Sequence, residues 1–385
     1  MNNTQVSQAL MQGGLNLSVP PLSLRPGEAI QLHNYEVNNL SRYRRMDGIE
    51  RFDGRPSPSD QPWLCIEVAD ASGFAPDDAI TGGTSGATGT VVAVDVDTNL
   101  LAVVETVGNF QPGETLGTTT VVQTANSIPI QDSVDAAFYV AVTEHFRQFI
   151  RPVPGSGSVL GVVVFKNTVY AFRNNLAGDA CVMHRATGNG WVEVTTPALS
   201  PDGAYKFDIG NPSGSSGSFL LVGVDGVNPA FTFDGTTFTQ INSTVVPDQP
   251  VAVAVLPSKI LALGFSSGSL VTSAIGDFTD FDVASGASEI AVADEITDLR
   301  VQPNRALAIF CKKPLQVLYG TTPEDFELST FSNQLAAKPN SVQDLGDSVF
   351  LSDAGVRRLA RSDEYGDFQD VDLSLLIKPL LDDRP

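Results

Sequence analysis

Gly264-Phe-Ser266-Ser-Gly268 fits the G-x-S-x-G pattern of a nucleophile elbow. An elbow sets its serine between a strand and a helix, with the acid and then the histidine later in the chain. Here Ser269-Leu-Val-Thr-Ser273 reads as a second strand, and no histidine occurs after His184. The triad cannot be completed in that order, so the tract predicts a Gly/Ser hairpin turn. Gly82-Gly-Thr-Ser-Gly86-Ala-Thr-Gly89 is rich enough in glycine to suggest a phosphate loop. It lacks the lysine and the following helix that such a loop needs, and predicts a tight turn instead.

Metal chemistry finds little support. His33, His145 and His184 fall in three different regions, and none has a histidine four residues away. Cys65, Cys181 and Cys311 are odd in number and far apart, which is neither a disulfide framework nor a zinc motif. They predict buried free thiols. Carboxylates gather at Asp95 and Asp97, at Asp277, Asp280 and Asp282, and at Asp367, Asp370 and Asp372. Paired acids serve glycoside hydrolysis or calcium binding. None of the groups has the glycine and terminal glutamate of a calcium loop, and their spacing suits exposed turns. The sequence thus predicts no cofactor, no metal and no catalytic set.

One cationic group stands out: Arg42, Arg44, Arg45, Arg51 and Arg55. It has two readings. One is an exposed arm balanced by nearby acids. The other is a contact arm that docks on an acidic neighbouring subunit, since arginine forks pair well with carboxylates at interfaces. The five arginines are therefore candidate inter-subunit contacts.

The elements that must position these residues follow from composition and pattern. The chain has 385 residues, 23 Lys plus Arg against 44 Asp plus Glu, and a net charge of −21. That balance argues against gripping nucleic acid through its phosphates. Charged residues are only 17% and hydrophobic ones 42%, so the chain is not disordered. With 34 Gly, 24 Pro and 21 Phe, it reads as all-β. No basic and apolar leader opens it, and no run approaches the ~20 apolar residues of a membrane span.

Four regions separate. Residues 1–63 read as an extended N-terminal arm punctuated by Gly13-Gly14, Pro20-Pro21 and Asp47-Gly48. Residues 64–128 read as a small inserted β-barrel or β-sandwich. In it Phe74-Ala-Pro-Asp-Asp-Ala-Ile80 matches Phe110-Gln-Pro-Gly-Glu-Thr-Leu116, 36 residues later. Residues 129–157 hold a short helix and a linker, with Val134, Phe138 and Val142 on one face, Ala141, His145 and Phe149 continuing it, and Asp132 or Ser133 as cap. Residues 158–385 divide into five units of four short strands. An aromatic opens each fourth strand, at Trp191, Phe238, Phe278, Phe326 and Phe368, at intervals of 47, 40, 48 and 42. Four strands per 40–50 residues is the arithmetic of a β-propeller blade. A repeat-free β-sandwich is the alternative.

The order of several non-catalytic motifs resembles a known family. These are Gly13-Gly-Leu-Asn16, Leu24-Arg-Pro-Gly-Glu-Ala29, Arg44-Arg-Met-Asp-Gly48, Glu50-Arg-Phe52, Ile150-Arg-Pro-Val-Pro-Gly-Ser-Gly157, Gly190-Trp191 and Asp372-Leu-Ser-Leu-Leu-Ile-Lys-Pro-Leu-Leu381. Together they resemble the tail nozzle, or tail hub, proteins of short-tailed bacteriophages. The resemblance implies a homohexameric ring in the virion tail, attached to the portal and adaptor, in contact with tail fibre or needle proteins. Double-stranded DNA would pass through it without specific binding, and the chain would not be an enzyme. The resemblance leaves two routes to ring closure, strands recruited from the arm or strands from another chain. A binding module for host surface glycan or for another tail protein is the alternative function.

Overall fold

A computed structural model describes residues 13–37, 42–46, 48–124, 132–242, 249–361 and 368–382. The turn residue Asp47, the acid Asp367 and the side chains of the proposed caps Asp132 and Ser133 lie outside the described residues. The chain forms two compact units. One comprises residues 1–48, 155–184 and 193–385; the other comprises 49–154 and 185–192. The expected arm, 1–63, is thus divided at Gly48, and the helix of 129–157 belongs with the inserted β-region.

The first unit is built almost entirely of β-sheet. Among the described residues, five four-stranded antiparallel sheets follow one another along the chain, each made of consecutive strands. Sheet one runs Ser156–Phe165, Thr168–Asn174, Cys181–Thr187, Gly190–Glu193, with its tip, 185–192, counted in the second unit. Sheet two runs Lys206–Gly210, Leu220–Val224, Phe231–Phe233, Phe238–Gln240. Sheet three runs Ala252–Val255, Leu261–Gly264, Ser269–Thr272, Ser288–Ala291. Sheet four runs Ile296–Val301, Leu307–Cys311, Leu315–Tyr319, Glu327–Ser332, and sheet five Gln343–Asp344, Ser348–Ser352, Gly355–Arg361, Phe368–Asp372. Among the described residues, no four-stranded sheet borrows a strand from the arm. The arm's strands pair with one another, Gly14–Leu15 with Glu28–Ala29 and Tyr35–Val37 with Tyr43–Arg45.

Apolar side chains fill the space between successive sheets. Phe172, Tyr205, Phe231 and Phe233 lie between sheets one and two. Val253, Leu263 and Phe278 lie between two and three, Ala254, Leu299 and Ile309 between three and four, and Phe310 and Phe350 between four and five. Each buried Val, Leu, Ile or Phe among them contributes about 1.5–3 kcal/mol. Two glycines permit close approach. A Cβ on Gly161 would fall 2.5 Å from Tyr205 Cβ, and one on Gly210 would fall 2.6 Å from Val255 Cγ1.

One expectation is corrected. Phe278 does not open the fourth strand of its sheet; that strand is Ser288–Ala291. Asp277 accepts from Thr279 N, Asp280 from Asp282 N and Asp282 from Ala284 N. These local bonds take the backbone out of ladder geometry. Phe278 and Phe281 instead plug the core from a loop.

In the second unit, six strands order as Ala79–Thr81, Thr88–Asp95, Leu100–Val107, Leu64–Val68, Thr119–Thr124, Thr115–Leu116. Ile66, Val91, Leu101 and Leu116 form the core on one face. The helix Asp132–Arg147 covers the other face with Val134, Phe138, Val142 and Phe146. Phe146, rather than Phe149, completes the buried face, and Phe149 is exposed. Among the described residues, no helix is long and apolar enough to cross a membrane.

Candidate functional site

The most chemically loaded place in the first unit is a cavity of about 380 Å³. It is lined from the first strand of sheet one (Leu160, Val163), sheet two (Tyr205, Lys206, Phe207), sheet four (Asp298, Arg300) and the start of sheet five (Val342, Gln343). Opening strands from the first and last sheets thus meet around one space.

Period-two alternation puts Lys206 and Asp208 on one face of their strand, and Asp298, Arg300 and Gln302 on one face of theirs. Lys206 Nζ lies 3.5 Å from Asp298 Oδ2 and donates to Thr297 O. Burial pulls the Lys206 ammonium below its ordinary range, and Asp298 opposes that pull. Asp208 accepts from Val255 N at 2.6 Å and from its neighbour Ile209 N at 2.7 Å. Burial pushes its carboxyl up, against those two hydrogen bonds and the more distant Arg300. Gln302 donates to Ser348 Oγ at 2.7 Å and ties sheet four to sheet five. Arg300 differs from the rest. Its Nε is buried without a hydrogen-bond partner, and among the described residues its guanidinium has no ion pair.

The five predicted contact arginines are divided between the two units. Arg42, Arg44 and Arg45 lie in the first unit, Arg51 and Arg55 in the second. Arg44 pairs with Glu36 across the small arm sheet. Arg42, Arg45 and Arg51 are exposed. Arg55 is committed internally. Its Nε lies 3.3 Å from the fully buried Asp53 carboxylate, and its Nη2 donates to Asn189 O at 3.1 Å. Asp53 also accepts from Arg55 N and Arg151 N, while Trp191 Nε1 donates to Arg151 O. Phe52 meets the Trp191 ring edge-on. Motifs about 100 and 140 residues apart in sequence therefore form one knot within the second unit. A similar tie joins Leu17 N to Leu376 O within the first.

The remaining candidate motifs resolve as local structure. The G-x-S-x-G tract turns between Leu261–Gly264 and Ser269–Thr272, with Gly268 at φ +79°. The glycine-rich loop does cradle an anion, but the anion is the chain's own. Glu114 accepts from Thr84 N, Ser85 N, Ser85 Oγ and Gln111 N. These bonds hold its carboxyl down to about 2. All three cysteines are buried and free. Burial pushes Cys65 to about 11 and Cys311 to about 12, which leaves them as thiols near neutrality. No group of three or more potential metal-ligating His, Cys, Asp or Glu occurs among the described residues. The two tryptophans are engaged, Trp191 with Phe52 and Trp63 with Phe138.

No family model and no curated protein matches the chain. Solved structures resemble it weakly. A catalytically inactive virginiamycin B lyase from Staphylococcus aureus with quinupristin shares 11% identity over 82% of this chain and 90% of that one, with a TM-score of 0.39. The extracellular domain of a putative hybrid two component system from B. thetaiotaomicron shares 11% over 81% and 37%, with a TM-score of 0.42. A computationally designed protein shares 12% over 81% and 88%, with a TM-score of 0.40.

Proposed function

We propose that this chain is a non-enzymatic assembly protein that binds a further copy of itself through the N-terminal arm. The observation that carries this reading is the surface of that arm. Leu22 is fully exposed, and Ile30, Tyr35, Val37 and Met46 keep 39–52% of their surface. Exposed Arg45 lies opposite Tyr35 in the small arm sheet, and exposed Arg42 precedes the strand that holds Arg45. Exposed apolar side chains and cations on one arm, in a chain of net charge −21, suit an interface with an acidic surface. Another copy of the chain offers such a surface.

In this reading the five sheets are propeller blades set around the cavity. Convergence of opening strands from sheets one, two, four and five on that cavity supports a ring, and each sheet supplies its own four strands. The nozzle of a short-tailed phage is the setting we infer, because the motifs that carry the resemblance lie at structural ties. Phe52, Arg151 and Trp191 make one, and the segments around Leu17 and Leu376 make the other. An acidic ring would let duplex DNA pass without adhering to it.

Native mass spectrometry and sedimentation velocity of the full chain test the reading. The expected mass is a multiple of 40.7 kDa, sixfold for a nozzle ring. Leu22→Glu combined with Arg45→Glu is expected to return the chain to a folded monomer. A wild-type protein that stays monomeric as its concentration is raised overturns the proposal.

A further inference from the structure

The geometry points to a binding site for a small organic carboxylate at Arg300, in the cavity shared by the opening strands of the first unit. The charged groups that line that space, Lys206, Asp298 and Arg300, and those next to its lining, Asp208 and Asp344, are unevenly matched. Three carboxylates are near, and each is held elsewhere. Asp208 is held by Val255 N and Ile209 N. Asp298 is held by Lys206 and by Leu299 N. Asp344 accepts from Gly346 N. Lys206 is used by Asp298 and by Thr297 O. Among the described residues, Arg300 alone of these groups has neither a side-chain hydrogen bond nor an ion pair; Asp208 acts on it only from a distance, and its Nε is shut off from bulk water.

A shielded guanidinium donor without an acceptor is costly, since a buried polar group loses its water without compensation. A carboxylate supplied from outside would correct this, because the guanidinium presents parallel N–H groups at the spacing of two carboxylate oxygens. The rest of the cavity defines the body of that molecule. Its walls set Leu160, Val163, Tyr205, Phe207 and Val342 beside the polar Asn340 and Gln343, which suits a small body with an apolar or aromatic part and a polar end. A volume of about 380 Å³ suits a compact ligand rather than a folded partner. The inference concerns the cavity, and does not depend on the proposed self-association through the arm.

Isothermal titration calorimetry of the full chain tests it with benzoate, the uncharged isostere benzamide, and inorganic phosphate. Benzoate is expected to bind with one site per chain, and benzamide and phosphate at least about tenfold more weakly. Arg300→Lys keeps the charge and loses the fork, so benzoate affinity is expected to fall about tenfold. Asn340→Asp is a milder variant at an exposed wall residue with left-handed backbone that Asp tolerates. It adds a negative charge to the lining and is expected to weaken benzoate severalfold without disturbing the fold. Absence of saturable benzoate binding overturns the proposal. So does equal binding of benzamide or phosphate, or benzoate affinity unchanged in both variants.

Discussion

Glu114 shows how a single residue decides what a motif means. The glycine-rich loop has the amide donors of an anion site, and the chain fills it with its own carboxylate. Because hydrogen bonds to the ionised form hold this carboxyl at about 2, below its ordinary 4.5, the charged state stabilises the fold. That contribution is complete above the unfolded value and is lost as pH falls through the folded one. Thermal melting followed between pH 6 and pH 2 is therefore expected to show a decline beginning near 4.5 in the second unit. In Glu114→Gln the amide turns an NH2 toward donors that need an acceptor. The variant should melt lower at pH 6 and lose most of the decline attributable to this group. A variant with the wild-type pH profile would show that the loop does not depend on the charge.

At the scale of elements, the 36-residue repeat of the second unit is also a repeat of hydrogen bonds. Asp77 N donates to Val91 O and Gly113 N to Val121 O; Val91 N donates to Asp78 O and Val121 N to Glu114 O. Asp77 and Gly113 both take positive φ, +74° and +84°, at the position after proline in each turn. A side chain on Gly113 would meet nothing within 4 Å, so its cost would be purely conformational. Gly113→Val should destabilise the second unit by roughly 1–2 kcal/mol in urea, while Asp77→Gly should be neutral or slightly stabilising. Equal effects of the two changes would contradict the left-handed requirement. This repeat was legible because the turn residues are local. Most strands of the five sheets were legible for the same reason, through alternation and short turns. The fourth strand of sheet three was not, because Phe278 and Phe281 resemble a strand while their neighbouring aspartates bend the chain. The cavity charges were also missed. Lys206 and Asp298 meet across about 90 residues of sequence, and no local rule links them. The available signal was Lys206-Phe-Asp208 and Asp298-Leu-Arg300, charges two apart in the opening strand of otherwise apolar units.

At the scale of the whole molecule, the two compact units draw their stability from separate cores, and this has a thermodynamic consequence. Two-state behaviour belongs to a single cooperative core, whereas a chain with two cores unfolds in steps when their stabilities differ. Lys206 and Asp298 keep only 11% and 4% of their side-chain surface, so Lys206→Met strands a buried carboxylate and should cost the first unit about 3 kcal/mol. Replacing Asp298 as well, as Lys206→Met with Asp298→Leu, should restore much of that loss. Glu114→Gln acts in the other unit. Differential scanning calorimetry of the full chain is therefore expected to show two transitions. Lys206→Met should lower one of them and Glu114→Gln the other, with the double variant additive because the sites share no partner. If both substitutions displaced a single common transition, the units would be one cooperative body, and the division at Gly48 would describe geometry without describing stability.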